Sequence, residues 1–239
     1  MSNPSYSILI PVFNAQDSLP LLLNELLNLD DHDKPDAIIV VDDGSTDGTV
    51  KKICKYSINL HKTGKNMGKG YALRTGFDSF LKNLTSEYIL CMDADLQHSP
   101  NSIKDFKSIA KESGNLVEIG LRDISIGKMP FARFLSNKIT SYILSVLCKQ
   151  KLKDSQCGYR LIHRSVIKDM PLYENGFQLE SEFLIRCSEK NIKIEFIPIP
   201  TVYNKHGSNI KHFYDSLKFL KLVIKEVRKK WFIPNKEKK

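Results

Sequence analysis

The chain of 239 residues is 41% hydrophobic and 26% charged, the balance of a soluble globular protein long enough to bury one large core. Its net charge of +9 is uneven: residues 211–239 hold ten Lys/Arg against three Asp/Glu, which leaves the rest nearly neutral and predicts an anionic surface, not a nucleic acid, as partner. Five scattered cysteines without C-x-x-C spacing exclude a zinc site and suit a reducing compartment, and neither a signal peptide nor a run of 18 apolar residues is found.

The first predicted strand is "SILIPV" (7–12), followed by a helical pattern in "SLPLLLNELLNL". The second strand, "AIIVVD" (37–42), runs into "VDDGSTDG", whose Asp43, Ser45, Asp47 and Gly48 imitate the opening of a calcium loop. Cys54 stands where such a loop needs its bidentate glutamate, so calcium is rejected. A helix is predicted over "TDGTVKKICKY" (46–56). "GKNMGKG" (64–70) is one residue short of a phosphate loop and lacks Ser/Thr after Lys69, and no G-x-G-x-x-G follows the first strand. Gly68, Lys69 and Gly70 therefore read either as a turn before the helix "GYALRTGFDSFLKNL" or as N–H groups and a lysine facing a phosphate.

The third strand, "YILCMD" (88–93), ends in Asp93-Ala94-Asp95, with Gln97 two residues on and Pro100 opening the helix "PNSIKDFKSIAKES". Adjacent carboxylates repel, so the pair is either solvated or neutralised by a hard cation, for which Asp93, Asp95 and Gln97 supply oxygens. The fourth strand is "VEIGLR" (117–122). Strands alternating with helices predict an α/β, mostly parallel, doubly wound sheet with helices on both faces. Ligands of such sheets bind beyond the strands' carboxyl ends, where Asn14, Asp42, Asp43, Asp93 and Asp95 fall.

The second half offers a long helix over "PFARFLSNKITSYILSVL", a turn and short strand in "DSQCGYRLIHR", a helix in "LESEFLIRCSEK" and a strand in "KIEFIPIPTVY". In the long helix Phe131, Leu135, Ile139, Tyr142 and Val146 form an apolar stripe, while Arg133, Ser136, Asn137 and Thr140 share another face. With Arg122 just before it, that polar face suits either a phosphate or water. Glu180 and Glu182 read as a base, a hydroxyl contact or a helix-start pair. His98 reads as a phosphate contact or a helix-start residue, and Cys157 as a small residue beside Gly158. The final helix, "FYDSLKFLKLVIKEVRKKWF", is basic and amphipathic, and its stripe of Phe213, Leu217, Leu220, Ile224, Val227 and Trp231 suits either the domain or a bilayer surface.

In order and spacing, "ILIPVFNA", "IIVVDDGSTDGT", "NMGKGYALRTGF" and "YILCMDADLQHSP" resemble the nucleotide-sugar half of family 2 glycosyltransferases of the GT-A fold. "DSQCGYRLIHR" and "GFQLESEFLIRC" resemble the acceptor half, most like dolichol- or polyprenyl-phosphate sugar synthases. The resemblance implies a domain over 1–210, with a nucleotide-sugar half (1–100) and an acceptor half (101–210), followed by a basic tail (211–239). It implies that Pro11, Asn14, Asp42, Asp43, Lys69, Asp93 and Ala94 bind a UDP- or GDP-sugar. Asp93, Asp95 and Gln97 would hold Mg²⁺ or Mn²⁺. Arg122, Arg133, Ser136, Asn137 and Lys205 would hold a lipid phosphate, and Asp95, Arg122, Glu182 and Asp154 would serve catalysis. The expected activity is inverting transfer to a polyprenyl phosphate, peripherally on the cytoplasmic membrane face. A glycan-hydroxyl acceptor, with Glu182 or Asp154 as base, and a non-catalytic nucleotide-sugar binder are the alternatives. One departure concerns the acceptor: "NKHGSNIK" carries Lys205 where the lipid-phosphate synthases have an arginine, and lysine cannot form the bidentate fork.

Overall fold

The computed structural model describes residues 4–123, 131–200 and 212–232, with side chains described over 134–200 and 215–229 of the last two segments. Strands β1 (Tyr6–Val12), β2 (Ile38–Asp42), β3 (Asn59–Lys62), β4 (Tyr88–Cys91), β5 (Val117–Leu121), β6 (Arg160–His163) and β7 (Ile194–Pro198) form one seven-stranded sheet, ordered β3-β2-β1-β4-β6-β5-β7. The helices are α1 (Ser18–Leu27), α2 (Thr49–Ile53), α3 (Lys69–Asn83), α4 (Ile103–Ser113), α5 (Phe131–Cys148), α6 (Arg164–Lys168), α7 (Leu179–Glu189) and α8 (His212–Phe232). Both predicted halves contribute strands to this sheet.

Continuous apolar runs form β1 and β2 because both sheet faces are covered. Side chains alternate along a strand, so Leu9 and Tyr6 point to opposite faces. On the Leu9 face lies α3: a Cβ at Gly76 would sit 2.1 Å from Leu9 Cδ1, so only glycine lets the helix this close. On the Tyr6 face lies α4, whose Lys107 Nζ stands 5.5 Å from the Tyr6 ring centroid. Leu19, Leu22, Leu23 and Leu26, at helical spacing, bury the inner side of α1 completely.

Only β6 runs antiparallel, between β4 and β5. The carboxyl ends of β1, β2, β4 and β5 therefore share one sheet edge with the start of β6, which brings the segments after Val12, Asp42, Cys91 and Leu121 beside Gly158 and Arg160. The short polar edge strand β3 is absent from the expectation above because it shows neither a buried run nor alternation. Helix α2 is shorter than predicted. The N–H groups of Thr46 and Gly48 are spent on Asn14 Oδ1 (2.8 Å) and Gln16 Oε1 (3.1 Å), which ties residues 46–48 to the loop after β1.

One core residue carries a testable cost. Glu118 is fully buried in β5, and among the described residues neither carboxylate oxygen has a hydrogen-bond partner. Burial first, and the charge of cross-strand Glu195 second, push its pKa up to about 8. An unfolded glutamate loses its proton near pH 4.5, so the folded chain keeps a proton that the unfolded chain releases. This contribution favours folding most at acid pH and is lost as pH rises from about 4.5 to about 8, at up to about 1.4 kcal/mol per pH unit. Glu118→Gln should flatten the decline of Tm over that window in thermal melts. An unchanged slope would show that Glu118 is not the group responsible.

Candidate active site

The loop after β1 starts at Asn14, whose left-handed backbone (φ 52°) turns the chain toward β2. Its N–H donates to Ser45 Oγ at 2.9 Å, and its Oδ1 accepts from Thr46 N–H at 2.8 Å. Asp42 and Asp43 are both 3% exposed. Asp42 accepts weakly from Ser45 N–H, at 3.3 Å, whereas Asp43 accepts from Met67 N–H (2.8 Å) and Gly68 N–H (2.7 Å). Asp43 thus fixes the loop that delivers Lys69 to the first turn of α3. Gly68 (φ 102°) completes that loop, where a Cβ would collide with Asn175 O at 2.4 Å. Asn14 and Asp43 spend their side chains on the backbone, so within this pocket they shape loops; Pro11 lines the cleft with Lys69, Asp93, Gly158 and Glu180.

Lys69 is the centre of the site. Its Nζ lies 2.6 Å from Asp93 Oδ1 and 2.8 Å from Glu180 Oε1, on α7. Burial alone would pull its pKa down, but the two carboxylates more than reverse this and hold the ammonium charged. Burial likewise works against the Asp93 anion, and Lys69 overcomes it, keeping Asp93 below the usual carboxylate range. Glu180 is therefore a partner of the lysine, a role its sequence position did not reveal. Gly158 makes room for Asp93: a Cβ there would stand 2.7 Å from Asp93 Oδ2. Behind the loop, His98 is 3% exposed and stacks on Tyr159 with centroids 4.9 Å apart. Burial lowers its pKa to about 4, and its neutral Nδ1 accepts from Asp93 N–H at 3.3 Å. His98 is a support for the carboxylate loop and is too buried for the phosphate contact considered above.

Asp95 lies exposed at the mouth, accepting from Gln97 N–H at 3.1 Å, with Gln97 half-buried and Ala94 buried. The protein around its carboxyl, and then the charge of Asp93, raise its pKa. Among the described residues no group of three His, Cys, Asp or Glu forms a closed metal cage. An open, oxygen-only donor set of Asp95, Asp93 and Gln97 fits Mg²⁺ or Mn²⁺, which take one or two carboxylates and complete their shell with water and substrate phosphates.

Across the cleft, Arg122 follows β5. Asp154 receives its Nε at 2.8 Å and its Nη2 at 3.0 Å, and Asn137 Nδ2 donates to the same carboxylate at 2.8 Å. The guanidinium is thus locked in a planar fork, and its charge is felt at both Asp93 and His98. The two carboxylates named as candidate bases lie here. Asp154 is fully buried, and although burial opposes ionisation, the Arg122 hydrogen bonds hold its pKa down, so it positions Arg122 and makes a poor base. Glu182 is also fully buried, its Oε2 accepts from Tyr173 and Glu174 N–H at 2.9 Å, and its Oε1 faces Arg186 at 3.5 Å; it pins the 173–174 loop. Ser136 is half-buried on α5 beside Asn137, while Arg133 and Lys205 lie outside the described side chains. Sequence reasoning missed Arg160, which binds the carbonyls of Ser155, Cys157 and Glu180 and so fastens the β6 turn to α7; only the burial of a charged strand residue reveals it.

Comparison with known proteins bears on the family and the fold. Residues 7–170 match the family model described as glycosyl transferase family 2. An uncharacterized protein of Methanocaldococcus jannaschii is 31% identical, over 78% of this chain and 83% of its own length. A dolichyl-phosphate beta-glucosyltransferase of Saccharomyces cerevisiae is 29% identical over 91% of this chain and 72% of its own, and one of Trichomonas vaginalis is 29% identical over 81% and 64%. Glucosyl-3-phosphoglycerate synthase from Mycobacterium tuberculosis, crystallised with Mn²⁺, UDP and glucosyl-3-phosphoglycerate, superposes with a TM-score of 0.73 over 98% of this chain and 82% of that one. At 16% identity this is a likeness of fold.

Proposed function

The chain belongs to glycosyl transferase family 2, and from that premise we propose that it moves a sugar from a UDP- or GDP-sugar to a polyprenyl phosphate, inverting the anomeric centre. One observation carries the choice of acceptor. Both carboxylates expected to act as base, Asp154 and Glu182, are fully buried, Asp154 held by Arg122 and Asn137 and Glu182 accepting through Oε2 from the 173–174 backbone while its Oε1 has no hydrogen bond among the described residues. A hydroxyl acceptor needs a base to take its proton, whereas a phosphate monoester is already anionic at neutral pH. What the site offers instead is a fixed guanidinium at Arg122, held by Asp154 and Asn137, which suits a phosphate. The dolichyl-phosphate glucosyltransferases of yeast and Trichomonas support the same reading.

In this reading Asp42, Asn14 and Pro11 border the nucleoside. Lys69 faces the diphosphate, exchanging its contact with Asp93 for the departing charge while Glu180 retains it. Asp95, Asp93 and Gln97 would hold Mg²⁺ or Mn²⁺, which when bound neutralises the leaving diphosphate. Arg122 holds the acceptor phosphate so that its oxygen meets the anomeric carbon from the face opposite the leaving group. Ser136, Arg133 and Lys205 complete the acceptor contacts in this proposal.

Among the described residues no helix is long and apolar enough to cross a membrane. The lipid acceptor is then reached peripherally. α8 keeps Leu222 and Glu226 inward, Glu226 paired with Arg186 at 2.7 Å, and exposes Leu217, Leu220, Ile224 and Val227 among lysines. That pattern suits an anionic leaflet. Five free cysteines are consistent with a cytoplasmic face.

The test is turnover of UDP- and GDP-sugars with polyprenyl phosphate, polyprenol or a free sugar as acceptor, in Mg²⁺, Mn²⁺ or EDTA. Transfer should require the phosphate and the cation. Equal transfer to a hydroxyl would select the glycan-acceptor alternative, and nucleotide-sugar binding without any transfer would select the non-catalytic one.

A further inference from the structure

The loop between α6 and α7 is gripped by three helices. Residues 172–176 lie with their backbone against the start of α3, where Tyr71 N–H donates to Asn175 O at 3.0 Å. A Cβ at Gly70 would stand 2.6 Å from Glu174 O and 2.7 Å from Gly176 O, so Gly70, like Gly68, lets the loop press against the backbone on either side of Lys69. Arg74, one turn past Gly70, holds the loop from α3, with Nη1 donating to Leu172 O at 3.2 Å and Nη2 to Asn175 Oδ1.

The opposite side of the loop is held by α7 and α8. Glu182 Oε2 accepts from Tyr173 and Glu174 N–H. Arg186, one turn along α7 and 4% exposed, places Nη2 3.5 Å from Glu182 Oε1. The same guanidinium forks onto the fully buried Glu226 of α8, Nη1 to Oε2 at 2.9 Å and Nη2 to Oε1 at 2.7 Å. Lys225 of α8 faces Glu174 itself at 3.7 Å. A buried ion pair adds little stability over apolar residues of the same size; what this fork supplies is a single register of α8 on α7. Arg74, Glu182, Arg186 and Glu226 stand behind the cleft that Pro11, Lys69, Asp93 and Glu180 line.

We propose that residues 172–176 are a strap through which the seating of α8 sets the position of Lys69, and that Arg74, Arg186 and Glu226 are positioning residues for the nucleotide-sugar donor. The proposal rests on the reading above in which Lys69 faces the donor diphosphate. Both ends of Lys69 depend on the strap. Its backbone lies between the two glycines that the strap covers, and its Nζ is held by Glu180, two residues from the Glu182 that ties the strap to α7. Loosening α8 frees Arg186, slackens the strap and costs the donor a preorganised cation.

The experiment takes the whole chain and three variants, Glu226→Gln, Arg74→Met and the double substitution. Calorimetry gives the Kd of UDP and of GDP with Mn²⁺, turnover gives the KM of a short water-soluble prenyl phosphate, and hydrogen exchange follows the Tyr71, Tyr173 and Glu174 amides. Each single variant should raise the Kd of the bound nucleotide by about tenfold and leave the acceptor KM unchanged. Tyr71 should exchange faster in Glu226→Gln, although the substitution lies on α8 and the amide on α3. The loss in the double variant should fall short of the product of the single losses, because both release one strap. A lowered Tm with nucleotide Kd and Tyr71 exchange unmoved would overturn the proposal, and so would losses that simply multiply. Glu226→Gln leaves Arg186 paired with Glu182 and Glu189. If it does not fold, Lys225→Glu at a half-exposed position sets like charges against Glu174 and should move the same readouts in the same direction. A wild type that binds neither nucleotide would refute the donor reading, and Tyr71 exchange then decides the strap. Nucleotide binding without transfer to any prenyl phosphate would refute the acceptor reading, and the Kd values then decide it.

Discussion

Asp95→Ala should abolish transfer while leaving the fold intact. Asp95 is exposed at the end of a loop, and its removal relieves repulsion from Asp93, so the thermal midpoint should hold or rise slightly. The loss falls on the leaving diphosphate. Losing the neutralisation of that charge removes several kcal/mol of transition-state stabilisation, on the order of a thousandfold in rate. A readout independent of turnover accompanies it: Mn²⁺ with UDP or GDP should raise the Tm of the wild type and not that of the variant. Full activity in the variant, or a Tm rise equal to the wild type's, would remove Asp95 from the cation site.

The second large effect concerns the arginine fork. Asp154→Asn takes one charge from the buried pair that sets Arg122, and Arg122→Lys keeps the cation but loses the planar grip. Each should raise the KM for a phosphate acceptor by about 10- to 150-fold, the cost of roughly 1.5–3 kcal/mol for one charged hydrogen bond. Hydrolysis of the donor by water should be nearly unchanged in both. Arg122→Lys keeps the claim testable if Asp154→Asn destabilises the buried pair too far to fold. If donor hydrolysis falls as steeply as acceptor transfer, Arg122 serves the donor side.

The parts of the fold that the sequence discloses are those with a strong local signal. β1, β2 and β4 are continuous apolar runs, and the carboxylates at their ends mark the sheet edge where the site lies. β3 carries no such signal, because an edge strand with partly exposed residues is neither a run nor an alternation. The antiparallel insertion of β6 depends on long-range pairing with β4 and β5, which no window of sequence contains. At the site, Lys69 and Asp93 stand out by motif, but their junction with Glu180 links residues more than a hundred positions apart. Asp154 and Glu182 mislead for a physical reason. A carboxylate near a cleft looks the same in sequence whether it is free to take a proton or already bound by Arg122 or by backbone N–H groups. The stripe of α5 misleads in the opposite sense, since periodicity gives two faces without saying which one is inside.

The chemical bond in the product tests the account most directly. With an α-linked nucleotide sugar and a polyprenyl phosphate, NMR and mass spectrometry of the purified lipid product should show one sugar joined through its anomeric carbon to the phosphate oxygen. The linkage should be β, and it should form only when the cation is present. A sugar attached to a hydroxyl, an α-linked phosphate ester, or the same product formed at full rate in EDTA would contradict it.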